Sequence, residues 1–219
     1  MKANLTELVF ILDRSGSMSG LESDTIGGFN SMLSKQQAEP GECRMTTVLF
    51  DDKYEILHDR IDINAISQIT SDEYYVRGCT ALLDAVGITI NKIGNVLSNT
   101  AEEFRAEKVM FVITTDGMEN ASREFTYDTV KSMIEHQKTK YNWEFIFLGA
   151  NIDAVEVASH FGIANNRAVT FYNDSEGIAL NYDTVAETVA CFREAPIGKT
   201  FADNWSDKIK LNFKNRKKK

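Results

Sequence analysis

Two hydrophobic periods alternate along the chain. The runs LTELVFIL (5–12), MTTVLF (45–50), KVMFVIT (108–114), WEFIFLG (143–149) and RAVTFY (167–172) are short, rich in β-branched and aromatic residues, and bounded by polar or glycine positions. That pattern predicts strands. Several are apolar at successive positions, which means that both of their faces are covered. Between them, roughly at 21–37, 81–100, 123–138, 152–161 and 176–194, apolar residues recur at spacings of three and four, the period of helices with one buried face.

Strands buried on both faces and alternating with helices imply a parallel sheet, because right-handed crossovers lay the helices over each side. The expected fold class is therefore α/β, a doubly wound, mostly parallel central sheet with helices on both faces. KYEILHD (53–59) follows the second strand after two aspartates, which predicts a tight hairpin and one antiparallel edge strand. Two prolines and no low-complexity linker leave no internal boundary. The expected organisation is one domain over 1–195 and a C-terminal extension with a basic tail over 196–219, its last twenty or so residues peripheral.

Charge changes this picture at the end of the chain only. The net charge is −8, yet Lys208, Lys210, Lys214, Arg216, Lys217, Lys218 and Lys219 supply seven of the 24 basic residues, leaving 17 against 32 acids in the body. An acidic body repels phosphate backbones and argues against nucleic acid as a partner of the main surface; the tail is free to touch an anionic surface, although KNRKKK reads better as a solvated, frayed end. Cys43, Cys79 and Cys191 are few, odd in number and far apart, which fits neither a disulfide framework nor a cysteine zinc site; they are expected to be reduced and mostly buried. No apolar run is long enough for a membrane span, and MKANLTELVF lacks the features of a signal peptide. The expected location is cytoplasmic.

In doubly wound sheets ligands bind beyond the carboxyl ends of the strands, where strand order reverses. The residues just after the strands are thus the candidates. FILDRSGSM ends the first strand with Asp13, Ser15 and Ser17; VITTDGMEN places Asp116 after a later strand; RGCTALLDAVG puts Thr80 at a helix start that can reach the same rim. Two carboxylates and three hydroxyls offer oxygen alone. Such a set suits a hard divalent cation, Mg²⁺, Mn²⁺ or Ca²⁺, with a coordination position left for an oxygen from a partner.

DRSGS, the distant Thr80 and the aspartate of TTDG together resemble the von Willebrand factor type A (VWA) domain and its metal-ion-dependent adhesion site, a likeness spanning about residues 4–195. The resemblance implies a Rossmann-like fold and carries Asp13, Ser15, Ser17, Thr80 and Asp116 over as metal residues. It implies that an aspartate or glutamate of a partner protein completes the coordination sphere. It also implies that movement of the ion between Asp116 and Thr80 can be coupled to displacement of the last helix, here 176–194. Intracellular members of the family work as adaptors beside AAA-type ATPases, metal chelatases and stress-response systems. The expected function is a cation-dependent protein-binding module, not an enzyme. The alternative is a hydrolase or phosphotransfer enzyme using the same ion to activate water or polarise a phosphoryl oxygen.

Each candidate has a plainer reading. DRSGS alone reads better as a strand-to-helix turn with a capping residue than as a metal site. Asp84 is either a support behind the site or an ordinary first-turn acid, and stays outside the site. Asn151 and Asp153 read better as a helix start than as site residues. Gly16 and Gly117 are expected to let the backbone turn close to the ion. His58, His136 and His160 lack metal-ligand spacing. Other enzyme classes meet specific obstacles: serine stands at 15 where a phosphoaspartyl phosphatase has aspartate, Met18 replaces the nucleophile in GSMSG, WEFIFLGAN offers no receiver lysine, and Arg193 stands where the glycine of a phosphate loop ending in IGKT belongs.

Overall fold

The computed structural model describes residues 1–196 and 198–217. Six strands, β1 (Lys2–Asp13), β2 (Glu42–Phe50), β3 (Tyr54–Asp62), β4 (Ala106–Thr115), β5 (Glu144–Ala150) and β6 (Ala168–Phe171), form one sheet in the order β3-β2-β1-β4-β5-β6. β1 pairs in parallel with β2 and β4, β5 in parallel with β4 and β6, and β3 is the single antiparallel strand at one edge. Strand order thus reverses between β1 and β4, and both strands end at the same rim.

Alternation along each central strand builds two cores. Leu8, Phe10 and Leu12 of β1, Met110 and Val112 of β4, and Ile146 and Leu148 of β5 face helices α1 (Glu22–Ala38) and α5 (Ser175–Glu194). The intervening Val9, Ile11, Phe111, Ile113, Phe145 and Phe147 face α2 (Leu82–Ser98), α3 (Tyr127–Tyr141) and α4 (Ala154–His160). Period-two side chains on strands covered from both sides explain why these runs are apolar throughout.

Helix α3 begins at Tyr127, four residues later than its periodicity suggests, because the residues before it are spent on a loop. Glu119 accepts N–H bonds from Ala121, Ser122 and Leu83; Asp84 accepts them from Arg123, Glu124 and Phe125. Thr126 then caps the helix at Thr129 N, and Asn142 closes it in the left-handed region. Cys43 is buried, as expected, while Cys79 and Cys191 are exposed, and all three are free.

The chain end differs from the expectation of a peripheral tail. A sixth helix, α6 (Asp207–Arg216), packs beside β6 and α5; Phe201 and Ile209 lie in the core facing α5, and Trp205 packs against it. Arg216, read from sequence as part of a frayed end, pairs with Asp174 and lies over the Tyr172 ring. Its apolar residues are too few among lysines for periodicity to show a helix. Lys218 and Lys219, the end of KNRKKK, lie outside the described residues, as does Ile197 of IGKT.

Candidate metal centre

The five candidate residues lie around the reversal point between β1 and β4. Asp13 is the last residue of β1, and its backbone hydrogen-bonding continues into Arg14, whose N–H donates to Phe50 O at 2.9 Å. The carboxylate is almost fully buried. Oδ1 accepts from Ser15 N at 2.7 Å, an Asx turn that reverses the chain toward Ser17, and Oδ2 accepts from Thr115 Oγ1 at 2.5 Å. Ser15 Oγ lies 3.0 Å from Ser17 Oγ, and Ser17 Oγ donates to Asp116 Oδ1. Asp116 Oδ2 accepts from Asn173 Nδ2 at 2.8 Å.

Thr80 arrives through a different route. Its N–H donates to Asn120 Oδ1 at 2.9 Å and its carbonyl accepts from Asn120 N and Ala121 N, so the loop after β4 fixes it. Gly117 shows how tightly the hydroxyls converge: a Cβ there would sit 3.1 Å from Thr80 Oγ1 and 3.3 Å from Ser17 Oγ. Glycine is therefore needed at 117 for space, whereas its φ and that of Gly16 are not in the left-handed region. Gly16 instead ties the rim to the segment before Thr80, donating its N–H to Gly78 O at 3.1 Å.

Electrostatics separates this rim from the rest of the molecule. Four carboxylates are buried among the described residues: Glu7, Asp13, Asp51 and Asp116. Glu7 is matched by Arg60 at 2.8 Å, and Asp51 by Arg14 at 3.1 Å and Arg77 at 2.5 Å. Asp13 and Asp116 have no basic partner among the described residues; only hydroxyl, amide and backbone groups donate to them. Burial pushes Asp13 up to about 6, against the opposing hydrogen bonds of Ser15 and Thr115. It raises Asp116 too, against those of Ser17 and Asn173. Arg14 is adjacent in sequence, yet its guanidinium points at Asp51 and Glu55 and gives the rim no positive charge.

The donor set fits a hard cation. No three His, Cys, Asp or Glu side chains cluster to hold a metal among the described residues, so a cation here depends on hydroxyl oxygens beside two carboxylates. Asn173 Oδ1, an acceptor beside the site, is buried with no partner among the described residues.

Several supports lie outside the sequence expectation. Tyr74, fully buried in the long connection before Thr80, donates its hydroxyl to Asp13 O at 2.7 Å. Thr115 and Asn173 bind the two aspartates. Asn173 follows β6 at the same rim, so the rule of looking beyond each strand end would have found it. Asp84 holds the loop between β4 and α3 against the start of α2 and touches no candidate oxygen. Asp153 caps α4, and Asn151 takes a left-handed turn; neither bonds to the five candidates among the described residues. His58 bonds Thr47 on the edge strand, while His136 and His160 pack on Tyr141 and Tyr127.

No protein-family model matches the chain, and no curated protein matches it in sequence. Solved structures do resemble it. A von Willebrand factor type A protein from Catenulispora acidiphila superposes with a TM-score of 0.58 at 12% identity over 85% of this chain and 42% of its own. The vWF domain of the type V pili tip protein Mfa5 from Porphyromonas gingivalis gives 0.59 at 11% over 90% of this chain and 98% of its own. Proximal thread matrix protein 1 from the mussel byssus, with a zinc-occupied MIDAS motif, gives 0.56 at 12% over 84% of this chain and 46% of its own. The chain thus spans less than half of two of these and nearly all of the third. Its fold is that of VWA domains, a six-stranded Rossmann-like sheet with one antiparallel edge.

Proposed function

We propose that the chain binds a divalent cation through Asp13, Ser15, Ser17, Thr80 and Asp116 and uses it to grip an aspartate or glutamate of another protein. The single observation that carries this reading is the pair of buried carboxylates with no basic partner among the described residues, where the other two buried carboxylates each have an arginine. A buried charge without a counter-charge is costly, and a divalent cation offsets both aspartates at once. Once they have neutralised it, the remaining positions fall to hydroxyls, water and an incoming carboxylate. Mg²⁺ suits the all-oxygen set, with Mn²⁺ and Ca²⁺ as the other candidates.

Binding rather than turnover is favoured because the donors around Asp13 and Asp116 are hydroxyls, amides and backbone N–H groups, while the three histidines sit on β3, α3 and α4. The mussel protein with a zinc-occupied motif supports divalent binding on this fold. The partner we propose is a protein of an intracellular complex, such as an AAA-type ATPase or a stress-response assembly, with this chain as adaptor in the cytoplasm. Two exposed free thiols are in keeping with a reducing compartment. Among the described residues no helix is long and apolar enough to cross a membrane.

Calorimetric titration of Mg²⁺ and Mn²⁺ into chelator-treated protein tests the site: one saturable ion in the wild type and none in Asp13→Ala is expected, and equal binding by both refutes the assignment. Capture from lysate with and without chelator then tests the function. A partner retained only by metal-loaded wild type supports an adhesive role. Turnover of phosphoester or peptide substrates that Asp13→Ala abolishes would replace it with a hydrolytic one.

A further inference from the structure

We propose that Asn173 is a positioning residue for the rim's cation and that helix α6 holds it in place, an inference that rests on the reading of the rim as a cation site. Asn173 lies two residues past β6, in the connection to α5. Its Nδ2 donates to one oxygen of Asp116 at 2.8 Å while Ser17 Oγ donates to the other. An ionised carboxylate only accepts, so the amide has one workable orientation, nitrogen toward Asp116 and carbonyl oxygen away from it. That oxygen is the buried one with no partner among the described residues. Asn173 therefore sets the orientation of Asp116 without adding charge.

Both chain neighbours of Asn173 are gripped by α6. Phe213 stacks on Tyr172 with ring centroids 4.6 Å apart, and the Arg216 guanidinium lies 4.5 Å from the centroid of the same ring. Arg216 also pairs with both oxygens of Asp174, the N-cap of α5, and Asn212 Nδ2 donates to Glu176 at 2.6 Å. The last turns of α6 thus bracket Asn173 from both sides. Helix α6 contributes no oxygen to the five-residue set. Its influence on the cation runs through Asn173.

The test is calorimetric titration of Mn²⁺ into the full chain, freed of metal by chelator, for wild type, Asn173→Ala, Arg216→Ala and the double variant, with Asp13→Ala as control. Thermal midpoints of the metal-free proteins are measured alongside. Asn173→Ala is expected to weaken Mn²⁺ binding by about 10- to 100-fold, the usual effect of removing a group that orients a ligand. Arg216→Ala is expected to weaken it roughly two- to tenfold, and the double variant to bind no more weakly than Asn173→Ala, because Arg216 acts through Asn173. Wild-type affinity in Asn173→Ala, whatever its thermal midpoint, would assign Asn173 a structural role only. An undiminished Arg216→Ala effect in the Asn173→Ala background would show that α6 does not act through Asn173 and overturn that part of the proposal. No saturable Mn²⁺ binding by wild type would overturn the cation reading and this inference together, whereas binding by wild type and none by Asp13→Ala isolates the question to Asn173.

Discussion

At the scale of single residues, the rim holds two carboxylates that burial desolvates and that have no basic partner among the described residues. Asp13, raised to about 6 by burial, binds a proton more tightly in the folded than in the unfolded chain. The stabilisation from that proton is present below about pH 4 and is lost as the pH rises through about 6, and Asp116 acts with the same sign. Metal-free protein is therefore expected to melt at a lower temperature at pH 7 than at pH 5, and Asp13→Asn to flatten that dependence. The cost involved is on the order of 2–3 kcal/mol at neutral pH, or several degrees in a chain of this length. Asp13→Asn is thus expected to stabilise the metal-free protein while abolishing the upward shift that Mg²⁺ gives the wild type. Differential scanning fluorimetry at two pH values, with and without metal, checks both; an unchanged metal shift in Asp13→Asn refutes the ligand assignment. Gly117→Ala places a methyl 3.1 Å from Thr80 Oγ1 and 3.3 Å from Ser17 Oγ. It is expected to weaken Mg²⁺ binding by at least tenfold with little loss of thermal stability, since the methyl crowds the hydroxyls and leaves the core untouched.

At the scale of elements, Thr80 and Asp116 come from segments 36 residues apart and are held together by the loop between β4 and α3. Asp84 is the hinge of that arrangement, accepting three consecutive N–H groups from the loop. Asp84→Ala leaves those donors to solvent and is expected to cost about 1–3 kcal/mol and to weaken metal binding several-fold, although Asp84 touches no candidate oxygen. Denaturant unfolding beside calorimetry checks this, and wild-type metal affinity would show that the loop is held by Glu119 and Asn120 alone. Helix α5 is fixed at its far end. Lys108 Nζ bonds the carbonyls of Phe192, Arg193 and Ala195, and buried Arg193 bonds carbonyls of Gln36, Glu39, Pro40 and Gly41. Sliding of α5 along the sheet, which the family resemblance raises, would break these contacts together. The expected outcome is an unmoved α5 in crystal structures with and without an acidic peptide, and a displaced helix would show that a bound carboxylate outweighs the clamp.

At the scale of the whole molecule, the C-terminal segment is part of the core facing α5. Ile209 is 1% exposed and Phe201 is 5% exposed, and Trp205 donates to Asn166 O at 2.7 Å. Ile209→Ala is expected to cost about 2–4 kcal/mol in chemical denaturation, the range for a buried branched side chain, and a cost below about 1 kcal/mol would mean that α6 is only loosely applied. Where side chains repeat with a strict period, the sequence by itself determined the outcome. Runs covered on both faces foretold a parallel sheet and the tight hairpin after the second run its one antiparallel edge, and Asp13, Ser15, Ser17 and Asp116 were legible at the ends of β1 and β4, with Thr80 at a helix start. Local covalent order carries that information, because period and strand ends are properties of neighbouring residues. Only the tertiary structure decided which buried carboxylates have an arginine, that Tyr74, Thr115 and Asn173 support the two aspartates, and that a lysine-rich end folds back as α6. These depend on contacts between residues far apart in the chain, set by how two helical layers pack on one sheet, and such contacts leave no period in the sequence.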